Sequence, residues 1–206
     1  MDLTHDAVVL AGGTGRRLGG VLKPQVTVRG RRLLDHVLDA TAGARRVVVV
    51  APESVPVPDG VIRTLEDPPH GGPVAGVAAG LAALREPAPA VLVLACDLPG
   101  AAGAVPRLLA AAADGITWPG GPRPAGAADR VDGVVVRDRA GREQWLLGVY
   151  SAAGLERRLA ALAAGGGLRD APVRALVEDM CLMSLEAPDE AVRDVDTWAD
   201  RDAVEQ

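Results

Sequence analysis

The stretch Ala7-Val8-Val9-Leu10-Ala11-Gly12-Gly13-Thr14-Gly15-Arg16-Arg17-Leu18-Gly19-Gly20 decides the expected fold. Its first four residues are apolar and include two β-branched valines, which predicts a buried strand that ends at Leu10. The glycines that follow permit positive φ angles and let backbone amides approach a phosphate closely. Arg16 and Arg17 add charged donors, and Lys23 comes soon afterwards. The sequence therefore predicts a strand followed by a polyphosphate-binding loop.

Two common phosphate-binding motifs do not match this loop. The P-loop motif ends in Gly-Lys-Ser or Gly-Lys-Thr, and the chain contains neither tripeptide. The dinucleotide fingerprint places two residues before its last glycine, whereas Arg16, Arg17 and Leu18 separate Gly15 from Gly19. A tight turn without a ligand remains the alternative interpretation of the glycines.

Lys23 is the only lysine among the 22 basic residues; the others are arginines. A position that keeps lysine in such a composition is a candidate for a role that needs a compact ammonium group rather than a planar guanidinium. Chance retention is the alternative. The position of Lys23 directly after the glycine loop favours the functional interpretation.

The rest of the chain alternates between strand and helix patterns. In the first half, apolar runs predict strands at 46–50, 61–65 and 91–95, and helical spacing predicts helices at 33–40, 74–84 and 105–113. This order predicts a single α/β domain over 1–206 with a doubly wound, mostly parallel sheet that binds ligands at the carboxyl ends of its strands. The second half is less regular and predicts a mixed C-terminal part, with a loop at 119–128, strands at 133–136, 144–150 and 180–185, and helices at 151–164, 168–177 and after 198.

Composition excludes several classes of function. The net charge of −5 and the 2% aromatic content argue against binding to a nucleic-acid backbone or to stacked bases. No apolar run reaches the roughly 18 residues of a membrane helix, and no signal-peptide pattern opens the chain. Cys96 lies in an apolar run, which predicts a buried free thiol. We therefore expect a cytoplasmic protein with neither nucleic acid nor membrane as a partner.

Two aspartates are candidate metal ligands. Asp97 follows the most apolar strand, at the sheet edge where ligands bind, and Mg²⁺ commonly takes one or two carboxylates together with substrate phosphates. Asp196 lies near the end of the chain and is a candidate second metal contact, with a helix N-cap as the alternative. Asp194 is the other aspartate of that segment that could take this role.

These motifs together resemble a known family. The segment Leu10–Gly13 with Arg17, Gly19-Gly20 and Lys23 is similar to the LAGGxxxRMG…DK signature of the MobA-type molybdenum cofactor guanylyltransferases and MobA-like NTP transferases. Leu18 and Leu22 stand where that signature has Met and Asp. Further resemblances cover 67–81, 92–99, 142–150 and 194–203; in the third of these, Trp145 stands where the family often has Pro.

The resemblance implies a Rossmann-like nucleotidyltransferase fold, with a nucleotide-binding half over 1–118 and an acceptor-side half over 119–206. It implies a catalytic role for Arg17, Lys23 and Asp97, and Mg²⁺ as the cofactor on Asp97 and Asp196. The nucleotide-binding residues it implies are Leu10, Ala11, Gly12, Gly13, Lys23, Asp67, Gly72, Pro73, Gly76 and Asp97. A simple helix start is the alternative for Gly72 and Pro73.

The reaction that the resemblance implies is Mg-dependent transfer of GMP from GTP to the phosphate of molybdopterin, with release of pyrophosphate. It leaves room for transient contact with proteins that mature molybdoenzymes. Two alternatives stay open: a related transferase that uses CTP or a sugar or other phosphate acceptor, and a non-catalytic nucleotide-binding module.

Overall fold

A seven-stranded sheet forms the centre of the fold. The computed structural model describes residues 3–13, 15, 18–115 and 131–205. The strands are β1 (His5–Leu10), β2 (Thr27–Val28), β3 (Arg31–Arg32), β4 (Val47–Val50), β5 (Ile62–Thr64), β6 (Ala90–Ala95), β7 (Gly133–Arg137), β8 (Glu143–Ser151) and β9 (Leu182–Glu186). The helices are α1 (Leu33–Asp39), α2 (Gly72–Leu84), α3 (Val105–Gly115), α4 (Ala152–Gly165), α5 (Val173–Val177), α6 (Asp189–Val192) and α7 (Trp198–Glu205).

The strand order of the sheet is β5-β4-β1-β6-β8-β7-β9. The first four strands are parallel, β8 runs antiparallel to both of its neighbours, and β9 is parallel to β7. The expected α/β class, the mostly parallel sheet and the mixed C-terminal part are confirmed. The carboxyl ends of β1, β4 and β6 therefore meet at one edge, where β8 begins.

Apolar cores cover both faces of the sheet. Leu34 of α1 and Leu108 of α3 pack in one core, and Leu81 of α2 and Leu155 of α4 pack in the other. Since β1, β4 and β6 lie between these layers, residues 7–10, 47–50 and 90–95 are apolar on both faces, which explains their uninterrupted hydrophobic runs.

Two glycines bring α2 unusually close to the sheet. A Cβ atom at Gly80 would lie 2.4 Å from Cγ1 of Val8, and one at Gly76 would lie 3.1 Å from Cδ2 of Leu10. A side chain at Gly80 would require Val8 to move, and one at Gly76 would require the side chain of Leu10 to shift slightly. The close packing brings the first turn of α2 next to the end of β1.

The structure differs from the sequence prediction in a few elements. The helix predicted at 168–177 begins only at Val173, because Pro172 starts it and 168–171 form a turn. The β2–β3 hairpin and α6 were not predicted from the pattern. The loop predicted at 119–128 lies outside the described residues, and the described helices include none long and apolar enough to cross a membrane.

Candidate functional site

A cavity of about 520 Å³ opens at the carboxyl ends of β1, β4 and β6. We call it the main cavity. Eight of the ten predicted nucleotide-binding residues line it: Leu10, Gly12, Gly13, Lys23, Gly72, Pro73, Gly76 and Asp97. Ala11 is buried behind it and donates its amide to the carbonyl of Val50 at 2.9 Å. The edge of the sheet where ligands are predicted to bind thus carries a cavity that these residues line.

The glycine loop leaves space in the cavity and turns sharply beyond it. A Cβ atom at Gly12 would have no neighbour within 4 Å, so the backbone there is open to a ligand. Gly15 has a φ of 52°, and a Cβ atom at that position would lie 1.9 Å from the carbonyl oxygen of Val21. Only glycine fits there. Arg17, predicted to be catalytic, lies outside the described residues, so its role stays a prediction.

A small separate core fixes the return of the loop to the cavity. Leu18, Val26, Val28, Leu33 and Val195 are buried together, which ties the loop, the β2–β3 hairpin and the C-terminal segment to one another. A 3-10 turn over Lys23–Gln25 follows, with its proline buried. Lys23 is therefore held at the sheet edge by packing on both sides of it in the chain.

The ammonium group of Lys23 lies between two carboxylates. Its Nζ donates to Oδ2 of Asp97 at 2.7 Å and also to Oδ1 of Asp196. The lysine side chain is 13% exposed. Burial alone would lower the pKa of Lys23, but the charge of Asp97 and the hydrogen bond to Asp196 outweigh it and raise the pKa to about 12. Lys23 is thus a fixed positive charge at neutral pH.

The C-terminal segment is tied to the end of β6 by its backbone. The amide of Val195 donates to the carbonyl of Asp97 at 3.0 Å, which places Asp196 beside Asp97. The helix α7 that follows is capped by Thr197. Asp200 accepts from the amide of Thr197 at 2.7 Å, and its own amide donates to Oγ1 of Thr197 at 3.2 Å, which is a capping box.

A second cavity of about 260 Å³ adjoins the main one. We call it the second cavity; it shares Ala95, Asp97 and Leu146 with the main cavity and is otherwise lined by Leu98, Glu143, Gln144, Trp145, Val173 and Asp194. Its charged lining residues are all carboxylates. Partial burial, together with the charges of Asp196 and Asp97, raises the pKa of Asp194. Asp194 thus belongs to the second cavity, whereas Asp196 accepts a hydrogen bond from Lys23.

Some residues at the site were not predicted from the sequence. Glu66, rather than the predicted Asp67, lines the main cavity, and its Oε1 accepts from the amide of Gly71 at 3.2 Å. Asp67 is exposed and lies outside the cavity lining. His70 also lines the cavity. Cys96 lies in the cavity wall as the buried free thiol expected, and burial raises its pKa, so it is no nucleophile at neutral pH.

The acidic groups at the site fit a metal held partly by substrate. The described residues contain no cluster of three or more His, Cys, Asp or Glu side chains that could hold a metal ion. Asp97 and Asp196 offer two carboxylates, which is the set that Mg²⁺ uses when phosphates and waters complete its shell.

Parallel strands that end at a glycine loop, a helix N-terminus and paired carboxylates are typical of the α/β proteins that bind nucleotides. The MobA-like NTP transferase domain matches residues 7–180, and the chain belongs to that family.

Several named proteins are similar to this chain in sequence or in fold. A molybdenum cofactor guanylyltransferase of Acidiphilium cryptum (strain JF-5) is 43% identical over 79 residues, which cover 36% of this chain and 40% of the relative. The chain thus matches less than half the length of this relative. A 2-C-methyl-D-erythritol 4-phosphate cytidylyltransferase from Thermus thermophilus shares the fold, with a TM-score of 0.69, 19% identity and 98% of each chain covered. So does a manganese complex of Rv0371C from Mycobacterium tuberculosis H37Rv, with a TM-score of 0.61, 20% identity and coverage of 99% and 98%.

Proposed function

We propose that the protein is a metal-dependent nucleotidyltransferase that transfers GMP from GTP to the phosphate of molybdopterin and releases pyrophosphate. The observation that carries the proposal is the ammonium of Lys23, held between Asp97 and Asp196 where the two cavities meet. The identity to a molybdenum cofactor guanylyltransferase supports the choice of donor and acceptor.

The main cavity suits the nucleotide. Its volume of about 520 Å³ is in the range of small-molecule sites. The open backbone at Gly12, the backbone of Gly13 beside Lys23 and the first turn of α2 would supply amide donors for phosphate oxygens. Lys23 supplies positive charge beside the same oxygens. In this placement Asp97, which lines both cavities, would face the reacting phosphates.

The two carboxylates at the site fit a divalent cation. The ammonium of Lys23 is itself a cation seated between Asp97 and Asp196, so it marks a point that accepts positive charge. Asp97 and Asp196 would hold Mg²⁺, and Mg²⁺ when bound neutralises the charge that develops on the phosphates. The manganese complex of a structural relative supports a divalent metal of this kind.

The second cavity suits the acceptor. It meets the main cavity at Asp97, so an acceptor phosphate placed there can reach the α-phosphorus of the nucleotide. A phosphate monoester is largely ionised at pH 7 and needs no general base to attack. The carboxylates of Glu143 and Asp194 suit the N–H donors of a pterin ring better than a further anionic group. Repulsion between the anions is offset by Lys23 and the metal.

A second candidate is transfer of CMP from CTP to another phosphate acceptor. The specific observation that favours it is the fold shared with a cytidylyltransferase over 98% of the chain. Thermal shift measurements with GTP, CTP, UTP and ATP, each with and without Mg²⁺, separate the two donors. A ligand at about 100 times its dissociation constant adds roughly 2.7 kcal/mol, which is readily detected.

The decisive test is the Asp97→Asn variant in a pyrophosphate-release assay with GTP, molybdopterin and Mg²⁺. We expect a loss of about 10² to 10³ in kcat, because a preorganised charge at the reacting phosphates is removed. Asp59→Asn, which changes an exposed loop aspartate, is the matched control and should keep full activity. A folded Asp97→Asn variant with undiminished turnover would refute the proposal, and the non-catalytic binding module would take its place.

A further inference from the structure

An irregularity in β8 shapes the boundary between the two cavities. Val135 of β7 pairs with Gly148 of β8, yet the next β7 residue, Val136, pairs with Gln144. Three β8 residues, 145–147, are therefore extra with respect to β7. Bulges of this kind turn side chains away from their regular direction and are common next to active sites.

The residues of this bulge line the cavities. Leu146 lines both cavities and Trp145 lines the second one. The register with β6 runs from Ser151 to Leu147 and stops there, so in the described sheet neither neighbouring strand pairs with Trp145 or Leu146. Their positions must come from other contacts.

A buried tyrosine supplies one such contact. The hydroxyl of Tyr150 donates to the backbone carbonyl of Trp145 at 2.5 Å, and Tyr150 is only 2% exposed. In a regular strand a carbonyl five residues away would lie about 16 Å along the chain, beyond the reach of a tyrosine side chain. The hydrogen bond is thus possible only because the bulge shortens this path.

Two glycines make room for the tyrosine ring. A Cβ atom at Gly133 would lie 2.8 Å from Cδ1 of Tyr150, and one at Gly148 would lie 3.0 Å from its Cε2. The ring thus lies against the backbone of β7 and β8 and points along β8 towards the bulge. Burial, and secondarily the charge of Glu143, raises the pKa of Tyr150, so its hydroxyl stays a donor.

The indole of Trp145 is held at its other end as well. Its Nε1 donates to Oε2 of Glu143 at 2.9 Å. Tyr150 thus holds the backbone of Trp145, and Glu143 holds its ring. Glu143 lines the second cavity, whereas Tyr150 lines neither cavity.

We propose that Tyr150 is a positioning residue, which holds the β8 bulge so that Trp145 and Leu146 form the acceptor-side wall of the site. Tyr150 acts through the carbonyl of Trp145 and contacts neither substrate. The kinetic part of this inference rests on the proposed function, whereas the position of Trp145 does not.

The test compares Tyr150→Phe with Thr41→Val. Tyr150→Phe keeps the ring and removes the hydroxyl. Thr41 is also buried, and its hydroxyl donates to the carbonyl of Leu38 at 2.7 Å, so Thr41→Val loses the same kind of hydrogen bond far from the site. Both variants should lose similar stability, which separates a positioning role from a purely structural one.

Two measurements decide the question. In the kinetic one, Tyr150→Phe should raise KM for molybdopterin about fivefold, the size expected from one hydrogen bond, with kcat and KM for GTP unchanged. In the second, Trp118→Phe and Trp198→Phe leave Trp145 as the only tryptophan. In that background acrylamide should quench Trp145 fluorescence more strongly in Tyr150→Phe than in Thr41→Val.

Either of two results would overturn the inference. The first is equal quenching in the two variants, and the second is an equal rise of KM for both substrates in Tyr150→Phe. If molybdopterin is not an acceptor at all, the proposed function fails, and the quenching experiment, which needs no turnover, still decides the role of Tyr150.

Discussion

Replacing Lys23 with methionine removes the ammonium between Asp97 and Asp196 but keeps most of the side-chain volume. The pKa of Lys23 rises from its ordinary value of 10.5 to about 12. A difference of that size corresponds to about 2 kcal/mol of stabilisation of the charged form by the fold. Because the pKa is raised, this stability is fully present below pH 10.5 and is lost only as the pH rises through about 12. At pH 7.5 Lys23→Met should therefore lose the whole of it.

The matched control is a surface ion pair with the same shortest distance between nitrogen and oxygen. Arg31 donates to Oδ2 of Asp39 at 2.7 Å, equal to the distance from Lys23 to Asp97. The Arg31 and Asp39 side chains are 48% and 54% exposed, against 13% and 22% for Lys23 and Asp97. Exposed pairs contribute about 0–1 kcal/mol, so Arg31→Met should unfold at nearly the wild-type urea concentration.

Magnesium should distinguish the variant further. Without the ammonium, Asp97 and Asp196 lose the positive charge between them, and a divalent cation can supply it. We expect added Mg²⁺ to stabilise Lys23→Met more than the wild type, in urea unfolding without nucleotide. The reasoning is refuted if Lys23→Met and Arg31→Met lose the same small amount of stability and Mg²⁺ shifts the wild type as much as Lys23→Met.

Two predictions concern the fold away from the cavities. Asp6 is fully buried. Burial alone would raise the pKa of Asp6, but hydrogen bonds, above all from Arg45, lower it. The ionised Asp6 therefore stabilises the fold above about pH 4, and this stability is lost as the pH falls through the lowered pKa. The wild type should thus lose more stability than Asp6→Asn between pH 7 and 3 in urea unfolding, and parallel losses would contradict this. Gly80→Ala should cost about 1–3 kcal/mol because its Cβ would lie 2.4 Å from Val8, whereas Gly103→Ala, with open space, should unfold like the wild type.

The parts of the site that sequence predicts best are those directly after apolar runs. Leu10, Gly12, Gly13 and Asp97 each lie at or just beyond the end of a parallel strand. Because parallel strands end at the same edge, local pattern alone brings these residues together. The antiparallel β8 also brings its first residues to this edge, but the strands that pair with β8 cannot be predicted from the sequence of β8 alone.

Other site residues depend on geometry that the pattern does not contain. Whether Glu66 or Asp67 faces the cavity is decided by the path of the backbone after β5, since the two acids are adjacent. Trp145 reaches the second cavity through a bulge, and a bulge is visible only in the register of two paired strands. The sequence does contain one sign of the bulge, because Gly133 and Gly148 leave the space that the ring of Tyr150 fills.

The lone lysine gains a physical explanation from the fold. Asp97 comes from the end of β6 and Asp196 from the C-terminal segment, 99 residues later, and both carboxylates contact the same nitrogen atom of Lys23. An ammonium is a compact point charge with three donors, whereas a guanidinium spreads its charge over a wider planar fork. At a point where three chain segments meet, the single nitrogen of Lys23 contacts both carboxylates. Asp97 and Asp196 would also be the residues to hold a divalent cation, which is a compact charge of the same kind.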